Sequence, residues 1–168
     1  VSSIDITGNE ADYAVVWNQI PQGATQKEIF FSNLDDVSII NGEIIQITDS
    51  DEIPSINPEV GYDNQFYGIF WEDQKDGIYE IYYTSYDKND DQQESITKIT
   101  NTGNDSQWPA IYWDGTAYAL VFEDFDGYYF NRVYTGGTKT LNSAVKIAGP
   151  SANTSGKADI TYINNFYY

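Results

Sequence analysis

Residues 66–87 read FYGIFWEDQKDGIYEIYYTSYD: an apolar run, an acidic turn, and a second run rich in Tyr, Ile and Thr. The same unit recurs on both sides. Residues 13–17 are YAVVW, 67–71 are YGIFW and 118–122 are YALVF, offset by 54 and then 51 positions. A further start falls at Tyr167, 49 residues on, where INNFYY matches DGTAYA. A second element keeps the register as EIFFSNLD at 28–35 and EIYYTSYD at 80–87, with a looser copy, YYFNRVYT, at 128–135. A third is IQIT at 45–48, TKIT at 97–100 and VKIA at 145–148. A fourth precedes the apolar run, as INPEV at 56–60 and WPAIY at 108–112, with Pro58 and Pro109 in the same place.

Repeats of roughly 40 to 50 residues holding four short strands each are the signature of propeller blades. YAVVW and YGIFW are apolar at every position, which requires cover on both faces. EIYYTSYD suits a pleated, half-buried strand. The sequence therefore predicts an all-β, β-propeller-type repeat of four-stranded antiparallel blades, about three plus the start of a fourth. The blades fall near 1–53, 54–106 and 107–155, with a partial one at 156–168. The alternative is a β-sandwich with coincidental internal similarity.

The 168 residues are enough for a substantial core. The chain has no apolar run of spanning length, so no insertion into a membrane is expected. It begins at Val1 and contains no Met, which suggests a mature or trimmed chain. Cys and His are both absent. That excludes disulfides, thiol nucleophiles, Cys or His metal sites, and a serine triad of the usual kind. The net charge of −18 argues against nucleic acid and anionic membranes. Residues 1–105 hold 21 acids and four Lys, whereas residues 106–168 hold five acids, three Lys and Arg132. An acidic surface keeps a protein soluble. The same acids could take a divalent cation or attract a basic partner.

Turn chemistry punctuates the units. GNEAD at 8–12, YDNQ at 62–65 and WDGT at 113–116 read as the first hairpins. EDQKDG at 72–77 and EDFDG at 123–127 read as the second turns. Expected strands of the first unit are 3–6, 13–17, 28–34 and 43–48, with a loop at 18–26. Sequons for N-glycosylation occur at Asn104 and Asn153, in the linkers between units. Tyr168 lies within the second strand of a fourth unit. About four to eight blades close a propeller, so the expectation is a longer native chain, or several chains completing one ring or filament.

Residues 50–83, SDEIPSINPEVGYDNQFYGIFWEDQKDGIYEIYY, resemble the TolB-type propeller repeats of secreted and cell-surface proteins of bacteria and archaea. The shared features are Asn57-Pro58, an apolar strand ending in Trp71, the acidic turn Glu72 to Gly77, and Glu80-Ile81-Tyr82. The first and third units match in part, with Trp17 kept and Phe122 in place of the Trp. The resemblance implies a fold and a secreted or surface setting. It implies no activity, because propellers host many functions.

Three groups of residues could carry chemistry. Glu72, Asp73 and Asp76 form one acidic turn, with Glu123, Asp124 and Asp126 at the equivalent place. They could cap the turn, ligate calcium or supply a catalytic pair. Asp87, Asn89 and Asp91 stand at alternate positions, as in the first half of an EF-hand loop, but Gln92 replaces the Gly and Lys98 the terminal Glu. Trp108 and Trp113 could stack on a sugar or pack between blades. The leading expectation is a non-catalytic extracellular or cell-surface module for adhesion, ligand binding or structural assembly, with a glycan or protein ligand. The alternative is a glycoside hydrolase using two loop carboxylates. The calcium reading has a direct check: calcium should raise the melting temperature more than sodium chloride at matched ionic strength. Identical melting curves in calcium and in chelator would leave the acids as capping and solubility devices.

Overall fold

A computed structural model describes residues 1–8, 13–34, 43–49, 51–87, 92–135, 144–149 and 156–168. These form antiparallel strands and no helix. The first sheet runs β1 (Ile4–Gly8), β2 (Tyr13–Gln19), β3 (Glu28–Leu34) and β4 (Ile45–Gln46), in that order. The second runs β5 (Ser55–Tyr62), β6 (Phe66–Asp73), β7 (Glu80–Asp87) and β8 (Gln92–Gln93), and β9 (Thr97–Lys98) also pairs with β7. The third runs β10 (Gln107–Trp113), β11 (Tyr118–Asp124), β12 (Gly127–Val133) and β13 (Val145–Ala148). A hairpin of β14 (Tyr162–Ile163) and β15 (Phe166–Tyr167) follows. The GNEAD turn beyond Gly8, the turn at 35–42, most of 135–142 and Asn153 fall outside the described residues.

Successive sheets stack face to face. Ile29, Phe31 and Ile47 of the first sheet pack with Val60, Ile69 and Trp71 of the second. Phe70, Ile81, Tyr83 and Ile99 on the other face of the second sheet pack with Tyr118, Leu120 and Phe122 of the third. Ala110, Ala119 and Val121 then meet Ile160 and Tyr167. The first strands lie side by side, β1 against β5 and β5 against β10. Because the second sheet is covered on both faces, every residue of β7 is buried. The half-buried strand expected from its Tyr/Ile alternation is thus a wholly interior one.

The linkers repeat in atomic detail. The N–H of Ile29 donates to Thr48 Oγ1 (3.0 Å), and that of Ile81 to Thr100 Oγ1 (2.8 Å). Ser55 N donates to the Lys27 carbonyl at 2.8 Å and Ser106 N to that of Tyr79 at 2.7 Å. The hydroxyls of these serines donate to Asp73 (3.0 Å) and Asp124 (3.3 Å). Pro58 and Pro109 have no N–H to give the ladder, and the register slips at both, between Ile56 and Glu59 and between Gln107 and Ala110. The residue before each proline is left-handed, Asn57 at φ 50 and Trp108 at φ 56.

The first hairpins follow their turn chemistry. Asp63 accepts the N–H groups of Gln65 (2.9 Å) and Phe66 (2.6 Å), and Asp114 accepts those of Thr116 (2.8 Å) and Ala117 (2.9 Å). Glu72 and Asp73 belong to β6 rather than to the turn after it, and Glu123 and Asp124 close β11.

Tyr118 joins the second sheet to the third. Its hydroxyl accepts the Gly68 N–H at 3.1 Å and lies 3.3 Å from the Gly61 carbonyl. A Cβ at Gly68 would fall 2.5 Å from the ring, and one at Gly61 2.7 Å. Gly68→Ala should therefore destabilise by about 1–3 kcal/mol through overpacking, read as a loss of roughly 2–4 °C in Tm per kcal/mol. In a Tyr118→Leu background the added cost should shrink, since the two residues share one contact. An equal cost in both backgrounds would place the strain elsewhere.

Candidate functional site

Where the first strands meet, the repeat brings charged groups together. Asp5 pairs with Val16 and Glu59 with Phe70, so both acids hold the same position in neighbouring sheets. The Asp5 carboxylate accepts the N–H of Val60 at 2.9 Å, which ties β1 to β5. Lys157 Nζ donates to Glu59, and Asp159 stands within electrostatic range of both. Ser3, Asn57, Trp108 and Pro109 complete a polar cleft of about 40 Å³ around the ion pair. That space suits a few water molecules, so any larger ligand must rest on the rim of the cleft that Trp108 lines.

Glu72 sets the geometry of that rim. Its carboxylate is wholly buried and accepts Asn57 Nδ2 at 2.8 Å, Trp108 N at 2.7 Å and Gln107 Nε2 at 3.3 Å. One group thus holds both left-handed residues, one in its own sheet and one in the next. Burial pushes its pKa up, and these hydrogen bonds offset part of the rise. Glu123 repeats the device by accepting the N–H of Gly156 at 3.1 Å.

The other acids singled out from the sequence are spread apart. Asp73 follows Glu72 along β6, so the two side chains leave opposite faces of the sheet. Asp73 accepts Ser55 Oγ, Trp71 Nε1 at 3.2 Å and Lys75 N at 3.1 Å. Asp76 is exposed in the turn and pairs with Lys98 at 2.5 Å. Asp87 is buried at the end of β7, and Asn89 and Asp91 lie outside the described residues. No group of three or more acidic side chains among the described residues is arranged to hold a metal ion.

The two tryptophans part company. Trp113 lies 4.9 Å from Tyr118, ring to ring, and the same pair recurs as Tyr62–Tyr67 at 4.8 Å and Tyr162–Tyr167 at 4.9 Å. It is the aromatic brace of a hairpin, and its Nε1 is buried with no hydrogen-bond partner among the described residues. Of the two, Trp108 lines the cleft.

Asp5, Glu59 and Lys157 were not apparent as a site from motif or composition. Their signal is an acid before an aliphatic at each repeat start, Asp5-Ile6, Glu59-Val60 and Asp159-Ile160, with Ala110-Ile111 as the exception. The chain matches no protein-family model and no curated protein.

Burial and the nearby Asp5 charge push Glu59 up to about 7, against the pull of Lys157. A carboxyl with a folded pKa above its unfolded one keeps an extra proton in the folded state. Its contribution to stability is complete below the unfolded value of about 4.5 and is lost as pH rises through about 7. Tm should therefore fall between about pH 5 and about pH 8. Glu59→Gln should flatten that fall in melts at matched ionic strength. An unchanged slope would show that Glu59 does not carry it.

Proposed function

We propose that this chain is part of a β-propeller-type module, secreted or on the cell surface, that binds a ligand without transforming it. The propeller reading is supported by adjacent first strands and by sheets that repeat one inter-sheet interface. The extracellular setting rests on the resemblance of the second unit to TolB-type repeats. Ligand binding rests on one observation: Trp108, held by its backbone N–H on Glu72, lines a cleft beside Asn57, Glu59 and Lys157. A flat aromatic next to an amide, a carboxylate and an ammonium group is suited to a sugar. The ring stacks on the apolar face of the pyranose, and the polar groups take its hydroxyls.

One observation favours hydrolysis as a second reading. A carboxyl held near pH 7 in a cleft has the protonation range of a general acid. A glycan array run beside a hydrolysis screen separates the two. The expected result is binding without turnover. Trp108→Asn removes the ring while keeping a residue the second sheet already uses in the same left-handed place, so folding should survive. Binding should weaken by about tenfold or more, corresponding to about 1.4 kcal/mol or more. Turnover abolished by Glu59→Gln would establish the hydrolase instead. Full binding by Trp108→Asn would remove Trp108 from the site.

A further inference from the structure

The turn after β11 departs from its counterpart in the second sheet. Between the acid pair and Asp-Gly, EDQKDG at 72–77 has Gln74 and Lys75, whereas EDFDG at 123–127 has Phe125. That side chain is 82% exposed, in a turn where the second unit keeps polar residues. The turn is held from within. Asp124 accepts the Phe125 N–H at 2.6 Å, and Asp126 accepts the Tyr129 hydroxyl at 2.6 Å. Phe125 borders two grooves, both also lined by Asn104 and Asp124. One, of about 380 Å³, adds Asp105, Gln107 and Glu123, and the other, of about 320 Å³, adds Thr102, Asp126 and Tyr129. Each has the size of an ordinary ligand site, ~300–1,000 Å³. Both offer far more room than the cleft of about 40 Å³ that Trp108 lines.

The larger groove shares its supports with that cleft. Gln107, on the groove, directly precedes Trp108, and both donate to the Glu72 carboxylate, through Nε2 at 3.3 Å and the backbone N–H at 2.7 Å. Glu123, also on the groove, accepts the N–H of Gly156, the residue before Lys157 of the cleft. We propose that the cleft and the two grooves form one extended site for an oligosaccharide, with Trp108 taking one sugar ring and Phe125 another further along the chain. This rests on the reading of Trp108 as a sugar-binding residue, and it adds a length and a charge to the ligand. Amides, carboxylates and hydroxyls along the grooves pair with sugar hydroxyls, and an exposed Phe face takes the apolar side of a ring. No Lys or Arg is among the described residues that line either groove, whereas Asp105, Glu123, Asp124 and Asp126 are. Lys146 is paired with Asp126 at 2.5 Å, and Lys157 with Glu59. Uronate, sialylated and sulfated chains are repelled by such a lining, so the ligand is an oligosaccharide free of acidic groups.

The test measures affinity for glucose, mannose and N-acetylglucosamine oligomers, each from monomer to hexamer, and for uronate and sulfated oligomers of the same lengths. At least one neutral series should bind more tightly as it lengthens. Phe125→Ser, at an exposed turn and checked for folding by thermal melts, should weaken the longest members by about three- to tenfold and leave the shortest that binds unchanged. Phe125→Tyr, which keeps a ring, should bind as the wild type does. Trp108→Asn should weaken short and long members alike. Affinity that does not rise with length overturns the extended site while leaving the sugar reading of Trp108 in place. So does a Phe125→Ser chain that holds the hexamers as tightly as the wild type. Acidic oligomers bound as tightly as neutral ones overturn the charge assignment, and binding of no oligomer at all overturns the sugar reading together with the extended site.

Discussion

A carboxylate with no solvent contact holds the junction between the second and third sheets. Glu72 accepts from Asn57, Gln107 and the backbone of Trp108, and so joins the bulge of its own sheet to the bulge of the next. A buried carboxyl is tolerable only when its oxygens are occupied. The prolines make that occupation possible. By withholding an N–H they open the ladder, the preceding residue turns left-handed, and its free groups point to Glu72. Removing the acid would leave these donors buried and unmatched, which costs more than the bonds themselves contribute.

Repeat length, apolar runs and turn residues carried the architecture. They placed β3 at Glu28–Leu34 and the Asp63 and Asp114 hairpins, because those features are local and obey period and turn chemistry. The depth of the second sheet was less legible. Alternation in EIYYTSYD signals a pleated strand, but burial of both faces depends on neighbours some fifty residues away. The fourth strand of the first unit is shorter than the 43–48 expected, since only Ile45 and Gln46 pair as strand.

The site was legible only in part. Trp108 could be chosen as an aromatic near a linker, and Trp113 met the same criterion equally well. What separates them is whether the ring recurs as a hairpin brace, which shows only once Tyr62, Trp113 and Tyr162 are seen at one place. Glu72 and Asp73 looked like a turn because acids favour turns, yet they end a strand and serve buried donors. Asp5, Glu59 and Lys157 are far apart in sequence, and only the stacking of first strands brings them together.

The Tyr118 contact bears on whether the repeats can trade places. The second sheet offers Gly61 and Gly68 beneath the ring, whereas the corresponding pairs are Thr7 with Ala14 and Tyr112 with Ala119. The socket is deepest at this one junction. Tyr67 holds the same place behind Thr7 and Ala14, but the closer approach that Tyr118 makes needs both glycines, so this junction's neighbours are written into their surfaces and not merely into their linkage. Duplicating or shuffling units within such an array would then meet steric resistance at some junctions and none at others, and its growth by copying would be confined to the pairs that already fit.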